Sequence, residues 1–189
     1  MEPLQVLKQY FGYTSFRPGQ AEVIQTLLEK RDCLAIMPTG AGKSLCFQIP
    51  ALLLPGITLI VSPLISLMKD QVDSLVNQQI PATYINSQCT FEEAKQRFGA
   101  IRAGRVKLVY VSPERLQNEF FTSFMQTIPV SMLVIDEAHC VSQWGHDFRP
   151  SYRAVREWIQ VLPQRPVIGA FTATATEKVK KDMMTLLGL

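Results

Sequence analysis

One lysine and two carboxylates carry the first chemical signal in the chain. Thr39-Gly40-Ala41-Gly42-Lys43-Ser44 follows a short apolar run, Cys33 to Met37. Glycines let backbone N–H groups turn inward around phosphate oxygens, Lys43 is placed to reach β- and γ-phosphates, and Ser44 offers a hydroxyl to Mg²⁺. A helix expected from about Lys43 adds the positive end of its dipole. The strict phosphate-loop pattern begins with Gly, and Met37 stands at that place. Alone, such a stretch also reads as an ordinary glycine turn. Its position between a strand and a helix favours phosphate binding. The second signal is Asp136-Glu137-Ala138-His139, after the apolar strand Met132-Leu133-Val134-Ile135. Asp136 is placed to hold Mg²⁺, directly or through water, and Glu137 to orient and polarise the water that attacks a γ-phosphate. An isolated Asp-Glu after a strand is often a solvated turn. Paired with a phosphate loop on the same sheet edge, it points to a nucleoside triphosphatase.

Other residues leave two readings open. Phe11-Gly12-Tyr13 and Phe16-Arg17-Pro18-Gly19-Gln20 precede the phosphate loop. The Gln20 amide offers a donor and an acceptor that suit an adenine edge, and Tyr13 or Arg17 can stack on a base. The same residues read equally as a helix-connecting turn with packed aromatics. Trp144 and Phe148 sit in a polar loop containing Gly145 and ending at Pro150. They suit stacking on unpaired bases, with Arg149 on a phosphate, or a hydrophobic plug beneath the loop. Ser62-Pro63 and Ser112-Pro113 each read as an N-cap followed by Pro at the first helical position. Such helix starts can grip phosphates or serve as caps alone. Arg17 and Lys107 read as phosphate contacts or as ordinary surface charge.

The elements that must position these groups alternate along the chain. Strands are expected at Cys33 to Met37, Ile57 to Val61, Ala82 to Asn86, Leu108 to Val111, Val130 to Ile135 and Val167 to Phe171. Helical stripes lie between them: Leu4, Leu7 and Phe11; Ile24, Leu27 and Leu28, starting near Pro18; a helix from Lys43 that Pro50 kinks or ends; and Leu64, Met68, Val72 and Leu75. Thr90 and Glu93 form a capping box ahead of Phe91, Ala94, Phe98 and Ile101. Broken helix is expected over Pro113 to Met125. Tyr152, Val155, Ile159 and Leu162 make another stripe. Val179, Met183, Leu186 and Leu187 make the last, with Thr174 and Glu177 as its cap. The alternation implies an α/β fold, one parallel sheet with helices on both faces and right-handed crossovers. The polar motifs follow strands, so they converge on the carboxyl edge of the sheet, where ligands bind.

Composition agrees with one packed domain. The chain has 189 residues, 47% hydrophobic and 19% charged, with a formal charge of +3. That charge permits an anionic partner without demanding one. The longest apolar stretch, Ala51 to Val61, is broken by Pro55 and Gly56, so no membrane span is read. The N-terminal MEPLQVLKQY has no basic start followed by an apolar run, so no secretory signal is read. Cys33, Cys46, Cys89 and Cys140 lack metal or redox spacing, which suits a reducing compartment.

Together the motifs resemble the first RecA-like lobe of a superfamily 2 helicase of the RecQ DNA helicase family. The resemblance rests on FRPGQ ending at Gln20, the MPTGAGKS loop, SPLISLMKDQV from Ser62, SPERL from Ser112, DEAHC from Asp136 and FTATAT from Phe171. Most specific is Val141-Ser142-Gln143-Trp144-Gly145-His146-Asp147-Phe148-Arg149-Pro150, similar to the aromatic-rich loop of that family. It implies a P-loop domain over residues 1–189, with residues 1–30 as a helical adenine-motif region. It implies ATP and Mg²⁺ as cofactors, with Tyr13, Arg17 and Gln20 on the adenine. Thr39, Gly40, Ala41, Gly42, Lys43 and Ser44 would take phosphate, Ser44 and Asp136 the metal. Glu137 would be catalytic with Lys43. His139, Thr172 and Thr174 would couple nucleotide state to DNA. Gln143, Trp144, His146, Asp147, Phe148 and Arg149, with Ser62 and Ser112, would contact single-stranded DNA and duplex junctions. The family implies 3′-to-5′ unwinding in DNA recombination and repair, by a monomer in the bacterial cytoplasm or the eukaryotic nucleus. Family members close ATP between two such lobes. The chain ends at Leu189, so the expectation is an isolated lobe with poor ATP hydrolysis and no unwinding. A nucleotide-holding module without turnover and a lobe of an RNA helicase are the rival readings. His139 and Thr172-Ala173-Thr174 argue against the DEAD-box RNA type.

Overall fold

The computed structural model describes all 189 residues. Six strands form one sheet: β1 (Cys33–Ile36), β2 (Ile57–Val61), β3 (Ala82–Ile85), β4 (Leu108–Val111), β5 (Val130–Ile135) and β6 (Val167–Thr172). Their order is β1-β6-β5-β2-β4-β3, and every pairing is parallel. The strands read as continuous apolar runs because both faces are covered: every residue of β2, β4 and β6 is buried.

Alternation along each strand divides the core in two. Ile60, Tyr110, Met132, Val134 and Phe171 face one layer, packed by α2 (Gln20–Leu28), α3 (Leu45–Leu53) and α4 (Ile65–Asn77). Leu59, Val109, Val111, Leu133, Ile135 and Ile168 face the other, packed by α5 (Phe91–Arg102), α6 (Glu119–Met125), α7 (Val155–Val161) and α8 (Glu177–Leu187). The short N-terminal α1 (Pro3–Val6) runs into a π-helical turn, Leu7–Phe11, and Val6 and Leu7 pack on Ile24 and Ile49.

Several boundaries differ from the sequence expectation. The helix after Pro18 begins at Gln20, because Gly19 adopts φ 87° and breaks the entry. The helix after the phosphate loop starts at Leu45 and continues through the buried Pro50, with the Leu54 N–H still bonded to the Pro50 carbonyl. Ser62 caps no helix: α4 begins at Ile65, and the Ser62 hydroxyl accepts from the Leu64 N–H at 3.3 Å. Ser112 precedes a five-residue 3₁₀ turn, Pro113–Gln117, without a side-chain cap bond. The last helix is capped by Thr176, whose hydroxyl accepts from the Val179 N–H, and not by Thr174. Tyr152 belongs to a 3₁₀ turn, Pro150–Ala154, ahead of α7. The Thr90–Glu93 capping box forms as read. Asn118 caps α6 and so breaks the segment expected to be broken.

Candidate nucleotide and nucleic-acid site

The phosphate loop leaves the carboxyl end of β1. Met37 anchors it: the backbone N–H bonds to the Thr172 carbonyl at 2.9 Å and the side chain is buried beside Cys46. A glycine there would give up that packing, so Met37 is accommodated without disturbing the loop. From the opposite side, Arg17 donates to the Gly40 carbonyl. The Gln20 amide donates to the Gly42 carbonyl at 2.9 Å and accepts from the Arg17 N–H at 2.8 Å. Gly42 has φ 76°, and a Cβ there would stand 2.4 Å from Gln20 Nε2. Gln20 is therefore the strut that shapes the loop, a role that base pairing alone did not suggest.

The acidic turn leaves β5, with β6 lying between β5 and β1. Glu137 takes a left-handed backbone, φ 50° and ψ 47°, which is strained for a side-chain-bearing residue and aims its carboxylate at the loop. Its N–H donates to Asp136 Oδ1 at 3.0 Å. Lys43 Nζ stands 3.6 Å from Asp136 Oδ1 and 3.8 Å from Glu137 Oε1. Burial raises the Asp136 carboxyl above the ordinary carboxylate range, and the Lys43 ammonium only partly offsets it. The Ser44 side chain makes no cap bond and stays available. A divalent cation suits this donor set, since it supplies the positive charge the buried carboxylate lacks. Ser44 and Asp136 are the residues that would hold it.

His139 and Thr172 lie behind the acidic pair. The His139 ring is buried, 2.7 Å from Thr172 Oγ1 and 3.5 Å from Glu137 Oε2. Burial lowers its pKa despite the Glu137 carboxylate. Thr174 enters through its carbonyl, which accepts from the Thr172 hydroxyl at 3.3 Å. His146 stacks on His139, ring centroids 4.3 Å apart.

The aromatic loop closes on itself where the Arg149 N–H meets the Cys140 carbonyl at 2.9 Å. Gly145 lies so close to the acidic turn that a Cβ would come within 2.7 Å of the His139 carbonyl. Trp144 is 63% exposed, so it is no plug. Phe148 is half-buried, with the Arg153 guanidinium 5.3 Å above its ring. Arg149 pairs with Asp147 at 3.4 Å, and Gln143 is exposed. Ser62 and Ser112 sit at the ends of β2 and β4 with buried side chains, so their hydroxyls do not face solvent.

A cleft of about 820 Å³ joins Tyr13, Arg17, Gln20, Thr39, Gly40, Gly42, Lys43, Ser44 and Glu137. Ala41 turns away from it, toward the neighbouring hollow along β1. Tyr13 is 53% exposed at its rim. Lys107 is no phosphate contact: its ammonium donates to the Leu54 and Gly56 carbonyls past the end of α3, and burial lowers its pKa. Sequence reading missed three members of the site. Tyr152 donates to the Asp136 carbonyl at 2.9 Å, and its periodicity had marked it only as core. Asp182 accepts from the Ser142 hydroxyl, and Lys178 covers the Trp144 ring. Both lie on the polar face of α8, where no spacing signals a partner in a loop far upstream.

A family model described as DEAD/DEAH box helicase matches residues 17–182. The chain is 52% identical over 179 residues to the ATP-dependent DNA helicase RecQ of Bacillus subtilis (strain 168), covering 94% of this chain and 30% of that protein. It is 50% identical over 186 residues to the protein of the same name from Pasteurella multocida (strain Pm70), covering 98% and 29%. The chain thus spans about 30% of the length of these curated relatives. The crystal structure of the DUF1998 helicase MrfA bound to DNA shares the fold, with a TM-score of 0.76 at 17% identity over all of this chain and 28% of that one. No helix is long and apolar enough to cross a membrane. The matched span runs from the Arg17 that braces the phosphate loop to the Asp182 that braces the aromatic loop, and on this evidence the chain belongs to the DEAD/DEAH box helicase family.

Proposed function

We propose that the chain is the ATP-binding motor lobe of a RecQ-type 3′-to-5′ DNA helicase, coupling Mg·ATP hydrolysis to movement along single-stranded DNA. The observation that carries this reading is the Lys43 ammonium held 3.6 and 3.8 Å from the Asp136 and Glu137 carboxylates. One cation and two carboxylates at the mouth of a phosphate loop are the parts that phosphoryl transfer needs.

Without nucleotide, Lys43 neutralises the acidic pair. An incoming triphosphate competes for Lys43, draws it onto the β- and γ-phosphates and frees Glu137 to accept the proton of the attacking water. Ser44 and Asp136 are the residues that would hold Mg²⁺, which would supply positive charge beside the phosphate oxygens. The exposed Tyr13 offers a face to the adenine, with Arg17 beside it. Gln20 retains one N–H and one lone pair for the base beyond its two loop bonds. His139 touches both Glu137 and Thr172, so a shift of Glu137 reaches β6 and the aromatic loop. Trp144 stacks on a base and Arg149 pairs a phosphate. A second RecA-like lobe in the full protein would close the cleft, and an arginine it supplies is worth roughly 10³–10⁵ in rate. The 189-residue chain alone is therefore expected to bind ATP and turn it over slowly. Acting on DNA, the protein belongs in the cytoplasm of a bacterium or the nucleus of a eukaryote.

ATP turnover by the 189-residue chain, with and without single-stranded DNA and beside Glu137→Gln, tests the reading. Slow turnover that vanishes in Glu137→Gln supports it. Turnover unaffected by that change would remove Glu137 from catalysis. Stronger competition by an RNA oligonucleotide than by DNA would shift the substrate class.

A further inference from the structure

The aromatic loop does not rest on the acidic turn alone. Two side chains one helical turn apart on α8 reach it. Asp182 Oδ2 accepts from the Ser142 hydroxyl at 2.7 Å, and the same Ser142 oxygen accepts from the Trp144 N–H at 3.1 Å. Lys178 Nζ lies 3.4 Å from the centroid of the Trp144 ring. The buried Ser142 thus fixes the backbone of Trp144, while Lys178 fixes its ring. An indole has two faces. Trp144 is 63% exposed and the Lys178 ammonium covers one face of its ring, so the opposite face is the one open to a partner.

We propose that Lys178 and Asp182 are positioning residues for nucleic-acid binding: they hold Trp144 from behind so that its free face meets a base. This rests on the reading of the loop as a single-strand contact. The resulting sandwich places the cation on one side of the indole and the base on the other, and Lys178 touches no phosphate. Because α8 is the next element after β6, which carries Thr172, one strand–helix unit holds the acidic turn through His139 and the aromatic loop through Trp144.

The geometry sets clear expectations for Lys178→Ala in the 189-residue chain. Freeing the ring should weaken binding of an oligo-dT strand by about two- to fivefold, the scale of one exposed cation–π contact. The loss should persist at high salt, and the salt slope should stay that of the wild type, because no phosphate contact is removed. Lys178→Arg should restore affinity, since a guanidinium also stacks on an aromatic face. Asp182→Asn keeps an acceptor for Ser142 and should bind nearly as wild type, whereas Asp182→Ala should not. The DNA-free emission of Trp144, isolated by subtracting that of Trp144→Phe, should change in Lys178→Ala. Equal or tighter DNA binding by Lys178→Ala would overturn the proposal and make the lysine a cover. A salt slope reduced by about one unit would overturn it in favour of a phosphate contact. If Trp144→Ala binds the strand as well as wild type, the loop reading itself fails. A silent Lys178→Ala beside a weakened Trp144→Ala sinks this proposal alone.

Discussion

His139 Nδ1 and Thr172 Oγ1 stand 2.7 Å apart, both buried, and tie the acidic turn to the last strand. The Thr172 hydroxyl directs its one proton to the Thr174 carbonyl, and the Glu137 carboxylate beside the ring nitrogen only accepts. That arrangement of acceptors favours the tautomer with the proton on His139 Nδ1. Thr172→Ala removes the 2.7 Å hydrogen-bond partner of the buried His139 ring and should cost on the order of 1–3 kcal/mol. ATP affinity should stay near the wild-type value while stimulation of turnover by DNA disappears, and Thr172→Ser should recover both. Thermal melts, nucleotide titration and turnover assays report the three quantities separately. Full DNA stimulation in Thr172→Ala would take Thr172 out of the coupling path.

The buried charges make stability and function pull apart. The Asp136 pKa is raised by burial, so between its unfolded and folded values the folded chain holds more protons and stability falls as pH rises. The ionised carboxylate therefore weakens the fold at neutral pH. Asp136→Asn, in chelator, should raise Tm by about 2–4 °C, the scale of ~1 kcal/mol in a domain of this size. The gain should shrink as acid protonates the wild-type carboxyl. His139 has the opposite sense among pH effects: its pKa is lowered by burial from 6.5, so the unfolded chain binds the proton first and stability drains as pH falls below that value. Chemical denaturation across mild acid should show that slope, and His139→Asn should flatten it.

Trp144 contributes area to a partner rather than to the core. Trp144→Ala should leave Tm unchanged and weaken binding of single-stranded DNA by the ~1–3 kcal/mol of one base–aromatic stack. Phe148→Ala should do the reverse in part, because that ring is half-buried under Arg153. Anisotropy titrations beside thermal melts separate the two, and a destabilised Trp144→Ala would contradict the exposed placement.

The phosphate loop depends on one amide. Gly42→Ala would drive a methyl against Gln20 Nε2 at a backbone angle that side chains avoid, and it should abolish ATP binding. Gln20→Ala leaves the Gly42 carbonyl and the Arg17 N–H without that amide and should weaken ATP binding by about tenfold, equivalent to ~1.4 kcal/mol. Calorimetric titration with a slowly hydrolysed ATP analogue checks both, and an unaffected Gln20→Ala would show the loop to be self-supporting.

The parallel sheet was legible because its strands are short apolar runs ended by polar motifs. Ile57–Val61, Leu108–Val111 and Val130–Ile135 fall where the pattern puts them. The convergence of Lys43 with Asp136 and Glu137 followed from that topology alone. Caps were less legible. Thr176 won over Thr174 because helix entry is set by where the chain leaves β6, and a Thr-x-x-Glu spacing does not encode that. The exposure of Trp144 was undecidable from residue type, since an indole serves equally as core and as contact. In the structure Trp144 is 63% exposed, beside a Gly145 that packs against the His139 carbonyl. Lys107 was ambiguous for the same kind of reason: its partners are backbone carbonyls, which no side-chain pattern announces.

β1 stands at the edge of the sheet with β6 as its single strand neighbour, and β6 is the last of the six strands in chain order. The residues that launch the phosphate loop leave the ribosome early, yet the ladder that seats them is completed only when Gly169 to Thr172 arrive. Long-range parallel pairing of this kind forms slowly and late. The nucleotide pocket is thus a checkpoint of synthesis: a nascent chain that lacks β6 has an untethered phosphate loop, and acquisition of ATP binding would report that the β1–β6 ladder has closed.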